Sequence, residues 1–156
     1  MPGRYAANTE VSSDRSRSEI ERTLRRYGAS AFGYAWEGQS AQIAFRLADR
    51  QIRFTLPLPD QRSREFTLTP TGRERSRSSA EEAYEQAVRQ RWRALALVIK
   101  AKLEAVEAEI STVEREFLDA IMLPDGRTVG DWLGPQLAAV YTSNSMPALM
   151  PGTSDA

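Results

Sequence analysis

The chain has few residues suited to catalysis: it holds no histidine and no cysteine, and nineteen of its twenty-one basic residues are arginine. Without imidazole or thiol there is no His-based proton shuttle, no thiolate nucleophile, no disulfide and no zinc site of the usual Cys/His kind. A serine nucleophile would need a lysine as base, and Lys100 and Lys102, the two lysines, both sit inside a helical pattern. Gly28, Gly33 and Gly38 are five apart, lie around strands and precede no Lys-Ser or Lys-Thr, so they read as turn glycines and not as a phosphate loop. Glu81, Glu82 and Glu85 crowd the start of a helix, where the dipole favours negative charge, and Glu104, Glu107, Glu114 and Asp119 read as a solvated face. No catalytic residues, no cofactor and no metal are expected.

Arginine is what remains, and its chemistry is anion recognition. The guanidinium neutralises phosphates, pairs bidentately with carboxylates and stacks on flat rings. Arg46, Arg50 and Arg53 fall in or beside strands, on the expected outward face of a sheet. Arg62, Arg64, Arg73, Arg75 and Arg77 follow in a polar stretch. Net charge is zero but divided: residues 1–79 hold fourteen Arg against nine acids, and residues 80–156 hold seven bases against twelve acids. Opposite halves of this kind can attract each other within one chain, pair between chains, or leave a basic face free for an anion. Trp92 lies among Arg89, Arg91 and Arg93, but its spacing assigns it to an apolar stripe as a core anchor.

These residues need elements to hold them. Residues 1–17 lack apolar periodicity and read as a mobile arm; a short helix over residues 18–27 buries Ile20, Leu24 and Tyr27. Alternation then predicts a three-stranded antiparallel meander within residues 29–58, with Phe32, Tyr34, Trp36, Ile43, Phe45, Leu47, Ile52, Phe54 and Leu56 on the core face. Its turns fall at residues 37–40, containing Gly38, and 48–51, centred on Asp49 and Arg50. The small outward residues Ala31, Gly33 and Ala35 suit close packing by the protein itself. Residues 59–78 form a basic loop, with Phe66 to Leu68 as an optional edge strand.

A long helix is predicted over residues 79–122, started by the capping box Ser79 to Glu82. Its stripe is Tyr84, Val88, Trp92, Leu95, Ile99, Leu103, Val106 and Ile110, repeating at eleven residues together with Phe117 and Ile121. At about 1.5 Å per residue this is a rod of roughly 65 Å. That exceeds the body of the protein, so self-association through the rod is expected. A second box, Ser111 to Glu114, makes a break near Ser111 the rival reading. Pro124, Asp125 and Gly126 turn the chain into a helix over residues 128–142, interrupted or restarted at Gly134 and Pro135, that folds back as a cap. Residues 143–156 form an extended tail in which Met146, Leu149 and Met150 suit docking.

Together these elements make a single α+β domain over residues 18–142. No apolar run is long enough to cross a membrane and no leader is visible, so a cytoplasmic protein is expected. The segments YGASAFGY (27–34), RFTLPLP (53–59), 90–101 and LPDGRTVGDWL (123–133) resemble a group of small uncharacterised proteins encoded by tailed phages and prophages. The resemblance implies a viral context and a host cytoplasm. The expected function is non-catalytic: binding single-stranded nucleic acid through the Arg-bearing sheet face and loop. The alternative is a protein-binding module, such as a phage inhibitor of a host defence complex, whose arginines meet an acidic protein surface.

Overall fold

The computed structural model describes residues 4–146, with side chains from Ser13 onward. Helix α1 (Arg4–Arg26) leads into strands β1 (Ala31–Glu37), β2 (Ser40–Leu47) and β3 (Arg50–Pro57). The helical turn α2 (Arg64–Thr67), the main helix α3 (Arg77–Glu107), the turn α4 (Val113–Glu116), a 3-10 turn (Leu118–Ala120) and α5 (Val129–Ser143) complete an α+β fold.

The sheet is antiparallel in the order β1-β2-β3. Pairing Phe32 with Phe45, Tyr34 with Ile43 and Phe45 with Ile52 keeps the apolar set on one face, as alternation demands. Helices α1 and α3 cover that face: Ile20 and Leu24 of α1 and Tyr84, Val88, Trp92, Leu95, Ile99 and Leu103 of α3 share one core with Ala41, Ile43, Phe45, Leu47 and Ile52. Trp92 is 1% exposed and anchors it, a burial that stabilises by roughly 2–3 kcal/mol. The two helices run in the same direction. Tyr27, just after α1, donates its hydroxyl to Glu104 near the end of α3, while the Tyr34 ring meets both Arg17 and Trp92 well upstream.

Both hairpins turn on two residues. Glu37 pairs with Ser40 across Gly38-Gln39, with φ of 56° at Gly38; Leu47 pairs with Arg50 across Ala48-Asp49, with φ of 47° and 60°. The second turn is therefore one residue earlier than expected, and Arg50 belongs to a strand. Two successive positive φ values define a type I′ turn, whose twist suits the hairpin although neither residue is glycine.

The predicted helix over residues 79–122 is corrected at both ends. Ser76, not Ser79, is the N-cap: its hydroxyl accepts the Ser79 N–H at 3.2 Å. At the other end Glu109 adopts φ 57° and the chain closes with Ile110 N–H to Ala105 C=O at 3.0 Å and Glu109 N–H to Val106 C=O at 3.1 Å. That bond pair is a Schellman stop, here without glycine. Thr112 caps the next turn by accepting the Arg115 N–H. The reason for the break is Phe117: it is buried with its ring edge-on to Phe45 and Phe54 at 5.8 and 6.1 Å. A straight helix would carry it about 15 Å beyond the end of α3. The stripe holds through Leu103, Val106 is half-buried, and Ile110 is 80% exposed outside the helix. With α3 about 46 Å long, self-association to cover excess helix loses its stated reason.

Other boundaries differ too. Helix α1 begins at Arg4, so residues 4–17 are helical and not an arm. Residues 59–78 hold α2, which buries Phe66 against Tyr84, and a Leu68–Glu74 bridge in place of the optional strand. Helix α5 starts as expected, with a reciprocal capping box between Thr128 and Asp131, but it runs through Pro135 without interruption. It does not fold back as a cap, since none of its side chains is buried. The helix ends at Asn144, and the tail beyond residue 146, with Leu149 and Met150, lies outside the described residues.

Candidate functional site

Arg46 and Arg53 do lie on the uncovered face, beside Ala31, Gly33 and Ala44 in the register. Arg46 is exposed and makes no ion pair among the described residues. Arg50 and Arg53 are engaged: Arg50 donates to Glu114 at 2.6 Å, and Arg53 stands 4.0 Å from the Asp131 carboxylate. Arg75 is spent on structure, donating to the Leu68 carbonyl at 2.9 Å and to the Ser79 hydroxyl. Arg77 pairs with Glu81 at 3.5 Å, leaving Arg62, Arg64 and Arg73 as the exposed loop cations without an ion pair among the described residues.

The two sets do not meet. Arg46, Arg50 and Arg53 cluster by the Ala48-Asp49 turn, whereas the loop departs after Pro57, opposite Ser40 at the other end of the sheet. Four residues of strand from Arg53 to Pro57 span about 13 Å, and six from Arg46 to Ser40 about 20 Å. The Arg-bearing face also lacks rings for base stacking, because Phe32, Tyr34 and Trp36 all point to the helix side. Ala31, Gly33 and Ala35, expected under packed protein, are exposed.

Three surfaces emerge that sequence reasoning missed. The first is rich in cations: Arg15, Arg22 and Arg26 of α1 and Arg89, Arg93 and Lys100 of α3 are all exposed, make no ion pair among the described residues, and sit on adjacent parallel helices, with the exposed Glu19, Glu82 and Glu107 interspersed in the same rows. Their signal was the spacing 15, 22, 26, one row of a helix, hidden once residues 1–17 were read as an arm. The second is the edge of β1, where Trp36 is 65% exposed. The third is α5. Leu133, Leu137, Val140 and Tyr141 recur at helical spacing, and Leu137 and Tyr141 are 58% and 82% exposed.

Local electrostatics secure the base of α5. Hydrogen bonds from Thr128, through its side chain first and then its backbone, hold the Asp131 carboxyl below the usual carboxylate range, with Arg53 and Arg127 adding to the effect. Asp125 is lowered likewise by Arg127. The hydrogen bond to Glu104, reinforced by its charge, pushes the Tyr27 phenol up.

An open groove of about 370 Å³ runs between the 64–75 segment and α3, lined by Glu65, Phe66, Arg75, Ser79, Glu82 and Gln86. Its charged lining is Glu65, Glu82 and Arg75. Among the described residues no group of His, Cys, Asp and Glu is arranged to hold a metal, and no helix is long and apolar enough to cross a membrane. No protein-family model matches the chain, and no curated protein or solved structure is significantly similar to it.

Proposed function

We propose that the chain is a non-catalytic protein-binding module and that α5 is its recognition element. One observation carries this reading: a 15-residue helix holds its base through a capping box yet buries none of its side chains, leaving Leu137 and Tyr141 in water. α5 rests on the 3-10 turn and its Leu133 and Val140 are half-buried, but an apolar row at i, i+4, i+7 and i+8 with exposed members is the pattern that seats in a hydrophobic groove of another protein, and apolar exposure of this kind is uncommon without such a use. Asp131 is the sole charged residue of α5, so apolar fit and not charge would select the partner. In the viral context that the sequence resemblance implies, the partner would be a host protein complex.

The test compares the full chain with Leu137→Asp combined with Tyr141→Asp. Both side chains are exposed, so stability should stay within about 0.5 kcal/mol. Any protein retained at one-to-one stoichiometry by the parent chain should be lost by the variant. Equal retention by both would overturn the reading.

A second reading is favoured by the six exposed cations of α1 and α3, which suit phosphate. It expects oligonucleotide binding whose affinity falls steeply with salt and disappears in Arg22→Glu with Arg93→Glu. Binding that survives this pair, or none in the parent, would exclude that surface.

A further inference from the structure

We propose that two copies of this chain join through β1, extending each three-stranded sheet into one six-stranded antiparallel sheet about a two-fold axis at Tyr34. β1 is hydrogen-bonded to β2 on one side only. The opposite edge, that of β3, is partly occupied: Ile52 bridges Ile121, and the Met122 N–H reaches the Gln51 carbonyl at 2.8 Å. Among the described residues β1 is therefore the one full-length open edge. Pairing through it closes at two copies and does not run on into a fibre.

Natural edge strands are usually guarded by proline, lysine, an inward charge or a bulge. β1 has none of these. Its sequence is AFGYAWE, and its register with β2 runs unbroken from Ala31–Arg46 to Glu37–Ser40.

The hairpin fixes which backbone groups face outward. Glu37 and Ser40 flank a two-residue turn and so form a hydrogen-bonded pair, after which bonded and non-bonded pairs alternate along the ladder. Glu37, Ala35, Gly33 and Ala31 thus aim their N–H and C=O groups at β2, and Phe32 and Trp36 aim theirs at the free edge, in phase with Tyr34. An antiparallel register centred on Tyr34 sets Phe32 opposite the partner's Trp36 and satisfies both ends at once.

Side chains agree with this register on both faces. On the helix side each Phe32 gains an aromatic neighbour that covers the exposed Trp36 of the other copy. On the outer side Glu37 of one copy falls opposite Ala31 of the other, and Ala31 is itself flanked by Arg46. Carboxylate and guanidinium then stand two strands apart, about 9.6 Å between Cα atoms, with a single methyl between them. Both side chains are long enough to meet across it. The symmetry repeats the pair, and no like charges are opposed. A register displaced along the strand leaves Phe32 or Trp36 without a ladder partner and separates Glu37 from Arg46.

Sedimentation of the full chain at micromolar concentration should give twice the chain mass. Trp36→Pro removes an outward N–H without touching the β1–β2 ladder, so it should sediment as a folded monomer with unchanged far-UV circular dichroism. Charge reversal supplies a test that does not depend on that variant folding. Glu37→Arg alone and Arg46→Glu alone should each weaken the dimer about tenfold, and the two together should restore it. A monomeric parent chain, a dimer indifferent to Trp36→Pro, or single reversals that the double variant fails to rescue would each overturn the proposal. The α5 variant Leu137→Asp with Tyr141→Asp should leave the dimer intact, which separates this inference from the protein-binding reading.

Discussion

Replacing Glu109 with glycine should stabilise the protein, and the sign of that effect reports directly on where the main helix stops. Glu109 holds φ 57° while its N–H and that of Ile110 close the Schellman pair onto Val106 and Ala105. Its side chain is exposed and makes no hydrogen bond or ion pair among the described residues. A residue with a Cβ in that conformation costs about 1–2 kcal/mol. Glycine removes the cost but returns about 0.4–1 kcal/mol through the greater freedom of its unfolded chain. The balance is a gain of about 0.5–1 kcal/mol. With a urea slope of about 2 kcal/mol per molar for a chain of this size, the midpoint should rise by about 0.25–0.5 M. Glu109→Ala keeps the Cβ and should stay within about 0.5 kcal/mol of the parent. Were α3 to continue unbroken through residue 109, glycine would sit in a helix interior and cost about 0.5–0.8 kcal/mol relative to glutamate. A midpoint that falls at unchanged slope would therefore refute the broken helix and reinstate the long rod.

Thr128→Ala should cost about 1 kcal/mol by removing the cap of α5 and should bring the Asp131 pKa back up toward the ordinary value, followed by NMR titration. Because the folded pKa of Asp131 is depressed, its stabilising contribution is present above the unfolded value of about 3.9 and is lost as pH falls through the folded one. The variant should accordingly lose less stability on acidification than the parent, and an unmoved Asp131 pKa would refute the capping box. Ala48→Asn with Asp49→Gly should raise stability by about 1 kcal/mol, since both residues hold positive φ in a type I′ turn; a lower melting temperature would show that the hairpin turns some other way.

Much of the fold was legible because it depends on local periods. The alternation through Phe45, Leu47, Ile52 and Phe54 placed the strands and their core face, and the stripe from Tyr84 to Leu103 placed the buried side of α3. Thr128 and Asp131, residue types suited to a helix start, stand where α5 begins, and the structure adds the reciprocal box between them. Helix ends were less legible. Ser76 and Ser79 offer equivalent hydroxyls three residues apart, and the stripe continues numerically through Val106 and Ile110 although the chain has turned away. The candidate surfaces were the least legible. Arg46 and Arg53 were placed on the correct face, but pairing of Arg50 with Glu114 and of Arg53 with Asp131 joins residues more than sixty positions apart.

Residue types and spacing alone determined that histidine and cysteine chemistry is absent, that the chain makes helices and an antiparallel sheet, and which side of each element is apolar. These follow from backbone geometry acting over a few residues. The tertiary structure decided that α3 stops at Glu107 so that Phe117 can return to the sheet, that the strand arginines and the loop arginines lie at opposite ends of the sheet, and that the edge of β1 and the outer side of α5 are left exposed. Those outcomes depend on which distant surfaces remain after the core has packed, and no local period carries that information.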